Sequence, residues 1–229
     1  MASTRRSTSP KRVLDLFCKA GGASMGLHRA WPWAKITGVD IEPQKNYPFD
    51  FIQADAMDFD LGGYDFIWAS PPCQKFSVLR NLRRTALKQQ WPEHEDLIAP
   101  VRQRLKSAGT QYVIENVEGA PLERGSIRLC GLMFGLKVLR HRYFECSFFA
   151  MQPSHVKHVK GCILRRELFC IVGSGGGRCW PGRPEKVFKI YWTLKQGSEA
   201  MGIDWMTRHE LTQAIPPAYS EFIARQVRF

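Results

Sequence analysis

The feature that most constrains this chain is a recurring junction, a short apolar run that stops at a glycine pair, an acid or a proline pair. Leu14-Asp15-Leu16-Phe17 ends at Cys18-Lys19-Ala20-Gly21-Gly22, and a helical pattern follows over residues 23–30. Strand, glycine loop and helix in that order open a nucleotide-type α/β fold, in which glycines let the loop backbone approach a ligand. A glycine pair alone carries little weight, but the junction repeats. Ile36-Thr37-Gly38-Val39-Asp40-Ile41-Glu42 and Phe51-Ile52-Gln53-Ala54-Asp55 are strands ending in acid. Tyr112-Val113-Ile114-Glu115-Asn116-Val117 again places polar groups where the apolar run stops. Open α/β sheets bind ligands at the carboxyl ends of their strands, so these groups converge on one edge. An acid about twenty residues beyond the glycine loop, as Asp40 is, is placed to take ribose hydroxyls.

Phe66-Ile67-Trp68-Ala69 leads into Ser70-Pro71-Pro72-Cys73-Gln74-Lys75-Phe76-Ser77. Each proline fixes φ and lacks an N–H, so the chain leaves the sheet there and cannot enter a helix before Cys73. Such a loop presents a thiol to a substrate. The tripeptide alone also fits a small buried thiol beside a turn.

The order and spacing of these motifs resemble the DNA cytosine-5 methyltransferase family. Pro72-Cys73-Gln74 is similar to its catalytic motif, Glu115-Asn116-Val117 to its Glu-Asn-Val motif and Arg140-His141-Arg142 to its Arg-x-Arg motif. The segment from Glu210 to Tyr219 resembles the family's last motif, whose helix returns to cover the cofactor. The resemblance implies a Rossmann-like class I S-adenosylmethionine-dependent methyltransferase core, with a mixed, mostly parallel sheet and a small irregular recognition segment. It implies a disordered arm over residues 1–11, a catalytic and cofactor-binding core over 12–143, a reduced target-recognition segment over 144–208 and a C-terminal helix over 209–229. Ala218, Phe222, Ile223 and Val227 share one face of that helix.

By the same resemblance Cys73 is the nucleophile, Glu115 contacts the base as a neutral acid, Asn116 braces the catalytic loop, Arg142 meets the base's O2 and Arg140 supports the site. Phe17, Lys19, Ala20, Gly21, Gly22 and Pro72 surround the S-adenosylmethionine donor; Asp40 holds its ribose, Ile41 lies against the adenine and Asp55 accepts from the adenine amine. The Asx turn is the ordinary alternative for Asp55. Gln74, Lys75, Ser77, Arg80, Arg83 and Arg84, with Lys88 beyond them, lie on a loop dense enough in cations to contact DNA phosphates. The sequence departs from the family at Lys19, where glycine is usual, at Val138, usually glutamine, and at Thr212-Gln213, usually Gly-Asn. Lys19 raises an alternative donor, a carboxy-S-adenosylmethionine giving 5-carboxymethylcytosine. An RNA or free-nucleotide substrate is the other alternative, and a non-catalytic DNA-binding module is disfavoured by the intact Cys73, Glu115 and Arg142.

Composition agrees with these expectations. A chain of 229 residues buries a sizeable core as one domain. A net charge of +12 points to a polyanionic partner, here double-stranded DNA. Seven cysteines, an odd number in no regular framework, fit a reducing cytoplasm, and no stretch is apolar enough to span a membrane. A monomer is expected, and the compact size fits a phage origin. No metal is expected: His155, His158, Cys162, Cys170 and Cys179 share a segment, but their spacing fits no common zinc module.

Overall fold

The computed structural model describes residues 11–76, 95–158, 167–171, 176–177 and 190–229. Strands β1 (Arg12–Leu16), β2 (Lys35–Asp40), β3 (Asp50–Gln53), β4 (Phe66–Ala69), β5 (Gln111–Asn116), β6 (Ile127–Leu129) and β7 (Arg142–Cys146) form one sheet. Their order is β3-β2-β1-β4-β5-β7-β6. β7 runs antiparallel to both its neighbours, β5 and β6, and the pairings among β1 to β5 are parallel. The strand order reverses between β1 and β4, so the loops leaving those two strands flank the crevice where such sheets bind ligands.

The apolar runs are continuous because the sheet is covered on both faces. Alternation sorts the side chains. Val13, Phe66, Trp68 and Val113 face one cluster with Leu27, Tyr219 and Ile223. Leu14, Leu16, Ile67, Ala69, Tyr112 and Ile114 face the other, with Val101 and Leu105. Helix α1 (Gly22–Ala30) covers the first face and α2 (Ile98–Ala108) the second.

Where the sequence reading has one helix over 209–229, the structure has two. Helix α3 (Leu194–Met201) is followed by α4 (Arg208–Gln213) and α5 (Pro217–Ala224). Pro216 and Pro217 separate the last two, since neither can donate within a continuing helix. The buried face of α5 is Tyr219, Ser220, Ile223 and Ala224; Phe222 and Val227 are only partly buried, and Ala218 is not on it. α5 packs tightly on α1 because Gly26 has no side chain: a Cβ there would collide with Pro217 O and Ser220 Oγ. Ser220 Oγ donates to Ala23 O at 2.7 Å across the same contact.

β7 carries the sheet to Cys146, a few residues into the segment read as recognition region. The far side of that segment has its own core, in which Val138, Phe169, Ile171, Trp192 and Met201 pack against Ala20, Leu211 and Ala214. The short strands β8 (Gly176–Gly177) and β9 (Ile190–Tyr191) pair with each other. Among the described residues no helix is long and apolar enough to cross a membrane.

Candidate active site

The loop after β1 turns within five residues. Phe17 (φ 58°), Lys19 (φ 44°) and Gly21 (φ 80°) are all left-handed. This conformation is costly for a residue with a Cβ, which explains why glycine would suit position 19. Lys19 is held there from two directions. Its backbone N–H donates to Asp40 Oδ2 at 3.0 Å, and its ammonium lies 2.8 Å from Glu42 Oε2 and 3.6 Å from Asp40 Oδ1. Ala20 O accepts from the Trp205 indole at 2.9 Å, and a Cβ on Gly22 would strike Ile215 O. These two residues therefore join the loop to the C-terminal segment. Asp40 is almost wholly buried and also accepts from Glu42 N–H at 3.1 Å. A carboxylate has further lone pairs, so two backbone bonds leave it able to accept more. Ile41 stands beside it, 65% exposed, a large bare apolar side chain at a strand end. Asp55 is exposed and makes the Asx turn, its Oδ1 accepting from Met57 N–H at 2.8 Å.

A buried polar chain behind this loop is absent from the sequence reading. Asp15, fully buried on β1, accepts from Ser24 Oγ, which lies 2.7 Å from Tyr47 Oη. Asp15 Oδ1 has no hydrogen-bond partner. The only hint in the sequence is an acid inside an apolar strand. Burial, with Asp40 and Glu115 nearby, raises its pKa to about 7. The folded protein then holds a proton up to about pH 7 that the unfolded chain releases near its ordinary value of 3.8. The stability this contributes is complete below about pH 4 and is lost as pH rises towards 7, at about 1.4 kcal/mol per pH unit. Asp15→Asn removes that dependence. Its advantage in urea unfolding should grow from pH 4 to 7 and level off above, reaching the order of 4 kcal/mol. Parallel stability curves for the two proteins would count against a buried protonated Asp15.

Across the crevice, β4 delivers the Pro-Pro-Cys loop and β5 the acid. Cys73 is half-buried and is followed by a turn in which Phe76 N–H donates to Cys73 O at 3.0 Å. Asn116, fully buried at the end of β5, donates from Nδ2 to Pro71 O at 3.0 Å and accepts from Val117 N–H at 2.9 Å. Glu115 beside it is 6% exposed. Arg142, at the start of β7, places Nε 2.9 Å from Glu115 Oε1. The contact is an ion pair and not an aligned hydrogen bond, so Oε1 keeps no hydrogen-bond donor. Burial raises the Glu115 pKa, and the guanidiniums of Arg142 and Arg140 only partly offset it. The same balance acts on the thiol. Thiolate chemistry calls for an electropositive surrounding, yet burial outweighs Arg142 and Arg140 and pushes the Cys73 pKa up, with Glu115 adding to the rise.

Arg140 is 2% exposed and faces away from solvent. It donates to Ile171 O at 2.6 Å and Thr212 O at 3.0 Å, while its own carbonyl accepts from Tyr219 Oη at 2.6 Å. It thus ties three chain segments together beneath the site. The other departures from the family are also accommodated. Val138 is buried in the third core cluster, and Thr212 serves Arg140 through its backbone while its hydroxyl bonds His209 O.

Of the residues read as contacting DNA, Gln74, Lys75 and the donor-side Pro72 are exposed at the mouth of this loop. Ser77, Arg80, Arg83, Arg84 and Lys88 lie outside the described residues. Cys18, Cys73, Cys130 and Cys146 are free thiols, but Cys170 is disulfide-bonded, so the reading of a wholly reduced cysteine set does not hold there.

A family model for C-5 cytosine-specific DNA methylase matches residues 11–124, from the first strand through the Pro-Pro-Cys loop to the Glu-Asn-Val strand end. This chain belongs to the C-5 cytosine-specific DNA methylase family. Among solved structures, the Entamoeba histolytica methyltransferase EhMeth is 14% identical, with a TM-score of 0.58 over 93% of this chain and 96% of that one. An RNA methyltransferase from Salinibacter ruber, in complex with S-adenosylhomocysteine, is 15% identical over 65% of this chain and 87% of that one, with a TM-score of 0.33. The plantazolicin methyltransferase BpumL, also in complex with SAH, is 19% identical over 48% of this chain and 40% of that one, with the same TM-score of 0.33. No curated protein matches the sequence. The enzyme is a cytosine methyltransferase with the Rossmann-like core of the S-adenosylmethionine-dependent class.

Proposed function

We propose that the enzyme methylates C5 of cytosine in double-stranded DNA through a covalent adduct of Cys73. The observation that carries this is the convergence of Cys73 with a buried Glu115 paired to Arg142 at the carboxyl end of the parallel strands. Cytosine C5 is too weak a nucleophile to take a methyl group directly. Addition of the Cys73 thiolate to C6 makes C5 enamine-like; C5 then attacks the methyl, and loss of the C5 proton with expulsion of the thiolate restores the ring. Glu115, whose pKa burial raises, stands against N3 and the exocyclic amine, where the neutral acid stabilises charge moving onto the ring. Arg142 meets O2, Asn116 holds the Pro71 carbonyl, and Arg140 positions the strand that carries Arg142.

S-adenosylmethionine supplies an electrophilic methyl group, and the residues along the first crevice wall fit it. Asp15 Oδ1 is a buried carboxyl oxygen without a hydrogen-bond partner, able to bond a polar group at the donor's methionine end. Asp40 retains acceptor capacity for ribose hydroxyls, Ile41 offers an apolar face to adenine, and Phe17, Gly21, Gly22 and Asp55 complete the pocket. The target base must leave the duplex stack to reach Cys73, and the cationic loop from Gln74 onward is suited to hold the phosphates around it. The test is mass spectrometry of nucleosides from duplex DNA, tRNA and dCMP incubated with enzyme and donor. 5-Methylcytosine in duplex DNA is expected; product confined to tRNA or dCMP would replace the DNA reading.

The donor is S-adenosylmethionine itself. The Lys19 ammonium already meets Glu42 and Asp40, which leaves little of its charge for a further carboxylate. In a competition between the two donors, Lys19→Gly should therefore change the product ratio less than about twofold, well under the tenfold that 1.4 kcal/mol represents. Formation of 5-carboxymethylcytosine by the native enzyme, lost in Lys19→Gly, would reverse this assignment.

A further inference from the structure

The recognition segment begins beside the catalytic arginines, and the junction has an unusual composition. Cys130, His141, His155 and His158 each turn one ligand-type atom inward, and the four atoms lie within 4.8 Å of one another. His141 Nε2 is 2.9 Å from His155 Nε2, and Cys130 Sγ is 3.4 Å from His158 Nε2. The three imidazole rings pack on one another, with centroids 4.8 to 5.2 Å apart.

The fold explains the convergence. β6 and β7 are antiparallel with Leu129 opposite Arg142, so one step further Cys130 faces His141 across the end of the ladder. The chain leaves β7, crosses back, and brings His155 and His158, three residues apart, over that same end. None of the sequence spacings announces a zinc module, because two ligands come from a strand pairing and two from a loop that returns to it.

We propose that these four side chains form a structural zinc site that fastens the start of the recognition segment to β7, whose first residue is Arg142. One thiolate with three neutral imidazoles is a zinc donor set, and four protein ligands close the coordination sphere. A tetrahedral ion with bonds of about 2.0–2.1 Å to nitrogen and 2.3 Å to sulfur has ligand–ligand edges of roughly 3.3–3.6 Å. The 2.9 Å nitrogen–nitrogen and 3.4 Å sulfur–nitrogen separations are a few tenths of an ångström or less short of the corresponding edges, and all four atoms lie within 4.8 Å, so small side-chain shifts close the sphere. Cys130 is buried while the three histidines are half-buried, so the site has a solvent side through which an ion can enter. Its function is positional: the metal holds residues 155 and 158 to the strand that begins at Arg142. This site does not depend on which nucleic acid is methylated.

The experiment measures metal in the full chain, purified without a histidine tag from cells supplied with zinc. One zinc per chain is expected. After chelation, cobalt(II) should restore one equivalent, with the intense visible bands of a tetrahedral site and a sulfur-to-cobalt charge-transfer band. The His155→Ala, His158→Ala double variant should lose zinc about tenfold or more, and Cys130→Ser should lose the charge-transfer band. His158→Cys keeps a complete zinc donor set and should retain the metal, which separates loss of a ligand from loss of the fold. Native protein that holds under about a tenth of an equivalent and takes up no cobalt overturns the proposal. Full zinc in the double variant also overturns it.

Discussion

Cys73→Ser abolishes turnover on duplex DNA, by roughly 10³-fold or more, the scale on which loss of a covalent nucleophile acts. The serine hydroxyl is far less ionised and less nucleophilic towards C6 than the thiolate. The structure sharpens the expectation. Burial holds the Cys73 thiol above its ordinary pKa despite two guanidiniums, so the free enzyme is not primed with a thiolate. The nucleophile must form as the base arrives and water leaves, when Arg142 gains strength in the drier site. Duplex binding should survive the substitution, since Asn116 fixes the loop through Pro71 O and not through the thiol. Two measurements check this: nucleoside mass spectrometry of the product, and a denaturing gel with 5-fluorocytosine in the substrate. Fluorine cannot leave C5 as a proton, so native enzyme should stay covalently attached and Cys73→Ser should not. Activity above a few per cent in the variant would rule out the covalent route.

Glu115→Gln slows the chemical step by about 10²- to 10⁴-fold, the range for loss of a positioned acid, while donor affinity changes little. Glutamine keeps the shape without the charge that burial disfavours at this position, so the fold should tolerate it. What it removes is the proton that the carboxyl can share with N3 and the ion pair with Arg142 Nε. Single-turnover rates and calorimetric donor binding separate the two effects. If binding fell and single-turnover chemistry did not, Glu115 would belong to the donor pocket and Asp15 or Asp40 would need new partners.

The elements around β1 to β5 were legible because their signals are local. A doubly covered strand must be apolar throughout, and glycine or proline must break it, so Gly21-Gly22 and Pro71-Pro72 mark the loops wherever the rest of the chain lies. The pairing of Cys73 with Glu115 follows from neighbouring strands in such a sheet. The departures at Lys19, Val138 and Thr212 were visible as well, but whether they mattered was not. Lys19 is stabilised by Asp40 and Glu42, and Thr212 contributes only a carbonyl to Arg140. A residue's partner across a fold is not encoded in its own neighbours along the chain.

The sequence by itself determined the α/β class and the two loops that face the crevice, which depend on residue type and on periodicity over a few residues; the candidate groups for cytosine methylation came from the resemblance of its motifs to a family. Only the tertiary structure decided where β7 inserts, how burial places the pKa values of Asp15, Glu115 and Cys73, and which histidines meet Cys130. Each of these depends on segments far apart in the chain. Desolvation is a property of everything packed around a group, and the 24 residues between Cys130 and His155 leave no short-range pattern to read.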